Sequence, residues 1–327
     1  MEKVKIFLDT DIGSDVDDAF ALALALNHPQ VELCGVSTVY GPTQIRAQIA
    51  QSLINAFQQD IPVGIGESTP ISKLNPIWTT GNEQDNLKLP EINVKSKMFH
   101  DAIELMRSKI EEYENEIIIV CIGPMTNIAH LIAKYPRVTN KIKRLVFMGG
   151  GIQKKESQIL DVGVQHIAQQ FEITPEKEYV TFYEHNLGAD PAAANAVLNS
   201  DIPKIMVGRN VTHKISFPKQ EIVDMLDNSS EAQRLLKHFC AVWEKHWRRD
   251  IFYFHDPLAL SVAIDPTIVR KKISVQLYID NTGYTDSYGD LLSAGFSLCY
   301  PENSSLEAVL EVNIRKFYDI FRTYCLK

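Results

Sequence analysis

Five aspartates fall within ten positions near the start of the chain, at Asp9, Asp11, Asp15, Asp17 and Asp18. Carboxylates this close raise one another's pKa and resist joint ionisation unless a positive group lies among them. A divalent cation held by oxygen ligands is the usual solution in proteins. Capping of the following helix needs only one or two carboxylates, so the pattern favours a metal or catalytic site.

The elements around these aspartates predict where the site lies. Residues 4–8 are an apolar strand, and the alanine- and leucine-rich residues 17–26 have the composition of a buried helix. The carboxylates therefore follow the carboxyl end of a first strand, which is where open α/β sheets bind their ligands.

Strand and helix patterns alternate along the rest of the chain, which predicts right-handed βαβ units. Apolar runs typical of strands covered on both faces are found at 31–39, 61–65, 116–122, 144–148, 179–183, 204–207, 273–279 and 307–312. Helical spacing is found at 43–57, 99–113, 124–135, 191–198, 219–247, 257–264 and in a last segment through residue 324. We expect an α/β fold in a single domain, residues 1–327, with a mainly parallel open sheet and helices on both faces.

Two long segments are predicted to be loops, residues 66–95 and residues 152–178. In the first loop, residues 78–83 are placed to reach over a site at the edge of the sheet. The three glycines at 149–151 indicate tight turning or close approach of the backbone to a ligand.

Composition restricts the classes of function. The chain has 327 residues, of which 45% are hydrophobic and 23% charged, as in an ordinary soluble protein. A net charge of -8 without a basic stripe argues against a nucleic-acid partner. No apolar run approaches the length of about 18 residues that suggests a membrane span, and no secretion signal is recognisable. The five scattered cysteines predict reduced thiols in a cytoplasmic protein.

Five short motifs are distributed over nearly the whole chain. They are Asp9-Thr10-Asp11-Ile12-Gly13 with Asp17-Asp18-Ala19, Gly123-Pro124-Met125-Thr126-Asn127, Met148-Gly149-Gly150-Gly151, Glu184-His185-Asn186 with Asp190-Pro191, and His255-Asp256-Pro257. This ordered set resembles the calcium-dependent, inosine-uridine preferring nucleoside hydrolases, of which the chain looks like a divergent member. The resemblance implies a Rossmann-like nucleoside hydrolase fold. It also implies hydrolysis of the N-glycosidic bond of a ribonucleoside to free base and ribose.

The resemblance further implies a Ca²⁺ cofactor and a set of ligands for it. Asp11 would be both a calcium ligand and the general base toward a calcium-activated water. Asp18 and Asp256 would be further ligands, together with the backbone carbonyl of Ile122. All of these are oxygen donors, which calcium prefers, and none is a thiolate or an imidazole.

The remaining implied roles concern the nucleoside. Asp17, Glu184 and Asn186 match positions that hold ribose hydroxyls in the family. His255 matches a position that in some members protonates the departing base, and an imidazole with its ordinary pKa of about 6.5 can do so near neutral pH. Such a site supplies a positioned water, a general base that takes its proton, and a group that relieves the charge on the departing nucleobase, all of which N-glycosidic hydrolysis requires.

Several positions depart from the family's pattern. Ser14-Asp15-Val16 separates Gly13 from Asp17 where one residue is usual, so Asp15 is an alternative to Asp17 or Asp18. Pro42, Asn82 and Glu178 replace an Asn, a His and an Asn that are common in the family, and the 152–178 loop is longer. These changes leave the preferred base open. A homo-oligomer, dimer or tetramer, is expected.

Other interpretations are still open on the sequence alone. A haloacid-dehalogenase-type phosphatase also begins with a strand followed by Asp-Thr-Asp, but no convincing lysine motif follows. A catalytically inactive nucleoside-binding protein is a second alternative. Among single residues, Asn127 is expected to brace its loop and Asp190 to cap a helix, while His213 is equally consistent with a structural role and a site role.

Overall fold

The structure, a computed structural model, describes residues 2–81, 83–88, 99–154, 179–180, 184–281, 284–285, 291–292, 297–301 and 304–326. The helices are α1 (Asp17–Asn27), α2 (Thr43–Ala56), α3 (Ala102–Glu112), α4 (Thr126–Lys134), α5 (His185–Ala189), α6 (Pro191–Leu198), α7 (Arg209–Thr212), α8 (Lys219–Met225), α9 (Glu231–Trp247), α10 (His255–Ile264) and α11 (Ile314–Tyr324). The strands are β1 (Val4–Thr10), β2 (Val31–Thr38), β3 (Val63–Ile65), β4 (His100–Asp101), β5 (Ile118–Cys121), β6 (Arg144–Met148), β7 (Gln153–Lys154), β8 (Tyr179–Val180), β9 (Lys204–Val207), β10 (Ser216–Pro218), β11 (Ile251–Tyr253), β12 (Val269–Ile279), β13 (Tyr284–Thr285), β14 (Leu291–Leu292), β15 (Ser297–Pro301) and β16 (Leu306–Val312).

Within the described residues, the main sheet has ten strands in the order β15-β12-β16-β9-β6-β5-β1-β2-β3-β4. Every neighbouring pair from β16 to β4 is parallel, whereas β12 pairs antiparallel with β15 and β16. The chain first builds outward from β1 through β2, β3 and β4, and then returns to place β5 on the other side of β1. This reversal is a topological switch point, where ligands bind beyond the carboxyl ends of the strands.

Alternate residues of the central strands belong to two separate cores. In β1, Ile6 and Leu8 pack with α1, α2 and α10, whereas Phe7 packs on the opposite face with α3, α4 and α6. This alternation follows from the two-residue period of a strand, and it requires apolar side chains in nearly every position. The predicted mainly parallel sheet with helices on both faces is therefore confirmed. The single domain over 1–327 stays a prediction.

Some boundaries differ from those the sequence predicts. The helix expected at 99–113 begins at Ala102, because the Asp101 side chain accepts a hydrogen bond from Glu104 N and caps it. The segment 219–247 is two helices, since Ser230 caps α9 in the same way. Pro124 precedes α4 by two positions and does not open it. Asn82, Glu178 and most of the 152–178 loop lie outside the described residues.

Candidate active site

Three carboxylates converge where α1 and α10 begin. Asp17 and Asp18 lie in the first turn of α1, and Asp256 lies in the first turn of α10. One oxygen from each lies within 4.8 Å of the others, and all three side chains are buried. Burial, and after it the charges of neighbouring aspartates, raise the pKa of all three carboxyls well above the ordinary value. A cation among them would offset both effects.

Hydrogen bonds hold this group in place. The Asp17 Oδ2 atom accepts hydrogen bonds from the backbone amides of His255, at 3.0 Å, and Asp256, at 3.2 Å. Thr10 donates its hydroxyl proton to Asp18 Oδ1 across 2.5 Å. No residue in the described part of the chain donates a hydrogen bond to the Asp256 carboxylate. That carboxylate is thus buried beside two others with its oxygens available to a ligand.

Asp11 and Ile122 line the same cavity as the three-carboxylate group. The amide of Ile122 donates to the carbonyl of Asp9 at 2.8 Å, which brings the end of β5 beside the loop after β1. A Cβ atom at Gly123 would lie 2.9 Å from Asp11 Oδ1, so only glycine allows this approach. Asp11 is 8% exposed. Its carboxylate lies outside the three-carboxylate group, which contains Asp17 together with Asp18 and Asp256.

Asp15 takes part in a different set of contacts. Its Oδ1 atom accepts hydrogen bonds from Trp243 Nε1 and from the amide of Val16, both at 2.7 Å. Asp15 lines the cavity but does not belong to the 4.8 Å group. The group of three carboxylates thus contains Asp17 and Asp18 but not Asp15, and whether Asp15 replaces either of them in the site stays a prediction.

Asp9 is fully buried behind the cavity. It accepts hydrogen bonds from Ser37 Oγ at 2.5 Å and Asn127 Nδ2 at 2.7 Å, and burial raises its pKa to about 7 against the effect of these bonds. The Asn127 side-chain oxygen accepts the amide proton of Glu67 at 2.9 Å. Asn127 thus braces the ends of β1, β2 and β3, which confirms its predicted structural role.

Glu184 and Asn186 also line the cavity, and both are held firmly. The Glu184 carboxylate caps α5 by accepting hydrogen bonds from the amides of Asn186 and Leu187, and it accepts a third from Gly150 at 3.0 Å. The Asn186 amide group donates to the carbonyls of Ile122 at 3.0 Å and Met148 at 3.1 Å. These bonds leave the Asn186 side-chain oxygen for a ligand. The ribose contacts of both residues stay predictions.

Asp190 is the predicted helix cap. Its carboxylate accepts hydrogen bonds from the amide of Ala193 in α6 and from the Thr126 hydroxyl. It also accepts the amide protons of Ile71 and Ser72, so it anchors the beginning of the 66–95 segment. This confirms the structural role of Asp190.

A ladder of rings forms the wall of the cavity next to Asp256. The His213 ring stacks on Tyr253 with 4.3 Å between centroids, and Tyr253 lies 5.8 Å from His255. Burial, and then the positive charges of His213 and Arg209, lower the pKa of His255 to about 3. The ordinary pKa assumed for His255 from the sequence is therefore wrong, because this ring is neutral at pH 7. The Thr212 hydroxyl lies 2.7 Å from its Nδ1 atom, and in the tautomer in which Thr212 donates to Nδ1 the Nε2–H is left for a ligand.

These residues enclose a cavity of about 580 Å³, which is within the usual range for a small-molecule site. Carboxylates and aromatic rings both line it, the rings including Tyr40, Trp78, Trp247 and Tyr253. Trp78 lies in the loop that was expected to reach over the site, and it does so. The size and polarity suit a ligand with a hydroxylated part and a flat part.

The family model described as inosine-uridine preferring nucleoside hydrolase matches residues 6–319 of the chain. The chain belongs to this family. Among curated nucleoside hydrolases, it is 29% identical to the pyrimidine-specific ribonucleoside hydrolase RihA of Klebsiella pneumoniae, over 80% of each chain. It is 26% identical to uridine nucleosidase 1 of Arabidopsis thaliana, over 83% of this chain and 77% of the relative.

A solved nucleoside hydrolase structure supports the fold. The purine-preferring ribonucleoside hydrolase from Gardnerella vaginalis superposes with a TM-score of 0.76 at 22% identity, over 98% of both chains. The predicted family and the predicted nucleoside hydrolase fold are thus confirmed. The phosphatase alternative is wrong, because the family model covers almost the whole chain.

As a nucleoside hydrolase, the protein is an N-ribohydrolase that cleaves the N-glycosidic bond of a ribonucleoside. The sequence reasoning missed several residues that shape its site, chiefly Arg46, Tyr40 and Thr212. No sequence signal distinguishes a buried arginine or threonine from an exposed one, so these residues were recognisable only from the structure.

Proposed function

We propose that this nucleoside hydrolase uses one calcium ion, held by Asp11, Asp18, Asp256 and the backbone carbonyl of Ile122. The observation that carries the proposal is the group of buried carboxylates whose pKa values are raised by burial and by one another. The donor set consists of oxygens alone, and two of its members, Asp18 and Asp256, lie in the first turns of helices, at their positive ends. These residues fit a hard divalent cation and do not fit zinc, which prefers nitrogen and sulfur ligands.

The bound ion would act as a Lewis acid that lowers the pKa of water and orients the ribose hydroxyls. The chain supplies the remaining chemistry. Asp11 is proposed to take the proton from the attacking water, because it lines the cavity at the end of β1 beside the Ile122–Gly123 turn. A positioned base of this kind typically contributes about 10²–10⁴-fold to the rate.

The carboxylates that line the cavity are proposed to hold the ribose. Asp17, Glu184 and Asn186 would bind its hydroxyls, and their existing hydrogen bonds fix their positions before the ribose arrives. Preorganisation of this kind lowers the cost of reaching the strained transition state. Asp17 is also close enough to Asp18 and Asp256 to contact the ion.

The aromatic rings that line the cavity are proposed to hold the nucleobase. His255 would donate its ring N–H toward the departing base, which relieves the negative charge that develops there. The relatives named above include pyrimidine-specific, uridine-cleaving and purine-preferring hydrolases, so a panel that includes uridine, cytidine, inosine and guanosine covers the relevant bases.

Release of ribose from this panel, with and without a chelator, tests the proposal. Ribose release that is abolished by the chelator and restored by calcium supports it. Release that persists after all calcium has been removed overturns the role of the metal. Binding of nucleosides without any release would instead support the catalytically inactive alternative.

We also propose that the protein acts in the cytoplasm in nucleoside salvage, as one domain per chain and as a homo-oligomer. No helix among the described residues is long and apolar enough to cross a membrane. Four cysteines in the described residues, Cys34, Cys121, Cys240 and Cys325, are buried and free, which suits a reducing compartment. Light scattering coupled to size-exclusion chromatography would decide between monomer, dimer and tetramer.

A further inference from the structure

Arg46 is a fully buried arginine in α2, next to the loop that follows β1. Its guanidinium donates hydrogen bonds to the backbone carbonyls of Asp11, of Ile12 at 2.9 Å and of Tyr40 at 2.7 Å. It donates a further bond to Ser14 Oγ at 3.1 Å. No carboxylate in the described part of the chain forms an ion pair with it. An arginine is costly to bury, so its retention here calls for a role that its geometry serves.

Ser14 connects Arg46 to a second segment. Its hydroxyl donates to Glu83 Oε1 at 2.8 Å while it accepts the proton from Arg46. Glu83 Oε1 also accepts hydrogen bonds from the amide and the hydroxyl of Thr80. Trp78 precedes Thr80 by two residues, and its amide donates to the Tyr40 hydroxyl at 2.7 Å. The network therefore reaches two of the aromatic residues that line the cavity.

The loop from Gly13 to Asp15 is anchored from other directions as well. Asn86 donates to the carbonyl of Gly13 at 2.9 Å, and Trp247 Nε1 donates to the carbonyl of Ser14 at 3.2 Å. Ser14 and Asp15 belong to the stretch that lengthens this loop. A longer loop has more conformations to lose on ordering, so it needs more anchors to hold one of them.

We propose that Arg46 is a positioning residue for the metal site. It fixes the loop at residues 11–14 by donating hydrogen bonds to the backbone carbonyls of that loop. Through Ser14 and Glu83 it couples this loop to the segment that carries Trp78. Arginine suits the task because its planar guanidinium presents five donors in a fixed arrangement, whereas a lysine presents one flexible point charge. The effect on calcium rests on the proposed function, whereas the effect on the loop does not.

Variants Arg46→Lys, Arg46→Met and Ser14→Ala test the inference. Arg107→Met, which removes a half-buried arginine of α3 far from the loop, is the control. The first measurement is deuterium exchange in the chelated protein. We expect exchange in a peptide covering residues 9–18 to be about 5–30-fold faster in both Arg46 variants, which corresponds to the loss of one or two hydrogen bonds. Exchange in the α3 peptide should not change. Ser14→Ala should show a smaller effect of the same kind.

The second measurement is the calcium Kd by titration calorimetry. We expect Arg46→Lys to weaken calcium binding about tenfold, nearly as much as Arg46→Met, because the lysine keeps the charge but not the geometry. Wild-type behaviour of Arg46→Lys in both measurements would overturn the proposal, since charge alone would then suffice. Faster exchange throughout the chain, α3 included, would also overturn it by showing a role in general stability. If the Arg46 variants fail to fold, the Ser14→Ala variant provides the test. Wild-type exchange in this variant would overturn the proposed coupling of the loop to the segment that carries Trp78.

The two measurements separate this inference from the proposed function. If the wild-type protein binds no calcium, the proposed metal site is wrong. The exchange measurement is made in chelator, so it still supports or overturns the role of Arg46.

Discussion

The side chain of Asp17 accepts a hydrogen bond from the backbone amide of Asp256, with 3.2 Å between Oδ2 and the nitrogen. The two residues lie in the first turns of two different helices, and 239 positions separate them in the chain. This bond places the first turns of α1 and α10 side by side. It thereby brings Asp256 next to Asp18 and assembles an acidic site from opposite ends of the sequence.

Removing the charge of Asp256 should weaken calcium binding strongly. Asp256→Asn keeps the shape of the side chain but removes a charged ligand, so we expect the calcium Kd to rise by more than the 10–100-fold that outer-shell changes typically cost. Titration calorimetry on chelator-treated protein measures this change. Asp224→Asn, on an exposed face of α8, is the control and should bind calcium as the wild type does. Elemental analysis that finds zinc in the purified protein would contradict the assignment of the ion.

Asp11→Asn should reduce turnover far more than nucleoside binding. Loss of a general base typically costs about 10²–10⁴-fold in rate, while the other ribose contacts remain. Steady-state kinetics should show a fall in kcat with a much smaller change in KM. A variant that keeps a kcat within about threefold of the wild-type value would remove Asp11 from the role of base.

Acid should weaken the stabilisation by calcium. The pKa values of Asp17, Asp18 and Asp256 are raised in the folded, calcium-free protein, so these groups bind protons there at a pH at which the unfolded chain is still ionised. At a pH between the ordinary pKa in the unfolded chain and the raised pKa in the folded protein, the folded state binds more protons than the unfolded state. The stability of the calcium-free protein therefore rises as the pH falls through this range. Calcium requires the ionised carboxylates, and its stabilisation is therefore lost over the same range.

We accordingly expect the calcium-induced rise in Tm to shrink as the pH falls from above the raised pKa values of these carboxyls toward the ordinary aspartate pKa of about 3.9. Scanning calorimetry with saturating calcium and with chelator measures the difference at each pH. A histidine that does not line the cavity, such as His28, whose pKa burial lowers, affects both samples alike and cancels. A calcium-induced rise that stays constant across this range would mean that the raised carboxyls do not bind the ion.

His255→Ala should slow substrates with poor leaving groups far more than substrates with good ones. A nucleobase needs a donor as it departs, whereas p-nitrophenolate departs without one. We expect a loss of up to about 10²–10³-fold on nucleosides, which is typical of losing one hydrogen-bond donor to a developing negative charge, and little change on p-nitrophenyl riboside. Equal losses on both substrates would mean that His255 supports the fold or the metal site instead.

Thr212 provides a finer test of the same role. Its hydroxyl lies 2.7 Å from His255 Nδ1 and holds the ring in its orientation. Thr212→Val should reproduce part of the loss on nucleosides, and Thr212→Ser, which keeps the hydroxyl, should restore the activity. If the valine variant behaves as the wild type does, the hydroxyl does not orient His255.

The sequence by itself determined the class of fold and the location of the site. Apolar runs alternating with helical spacing predicted a parallel sheet, because strands covered on both faces need apolar side chains throughout. The aspartates after β1 marked the carboxyl edge of that sheet, since five like charges in ten positions are costly without a partner. The ordered motifs indicated the family, which the match over residues 6–319 confirmed.

Only the tertiary structure decided how these residues meet. Asp17, and not Asp11, lies in the close group with Asp18 and Asp256. This arrangement depends on the packing of α1 against α10, a contact that no local sequence pattern encodes. The low pKa of His255 and the role proposed for Arg46 both follow from burial. Burial is set by strand order and helix packing over the whole chain, so the residues alone predict which groups are present but not which of them lose contact with water.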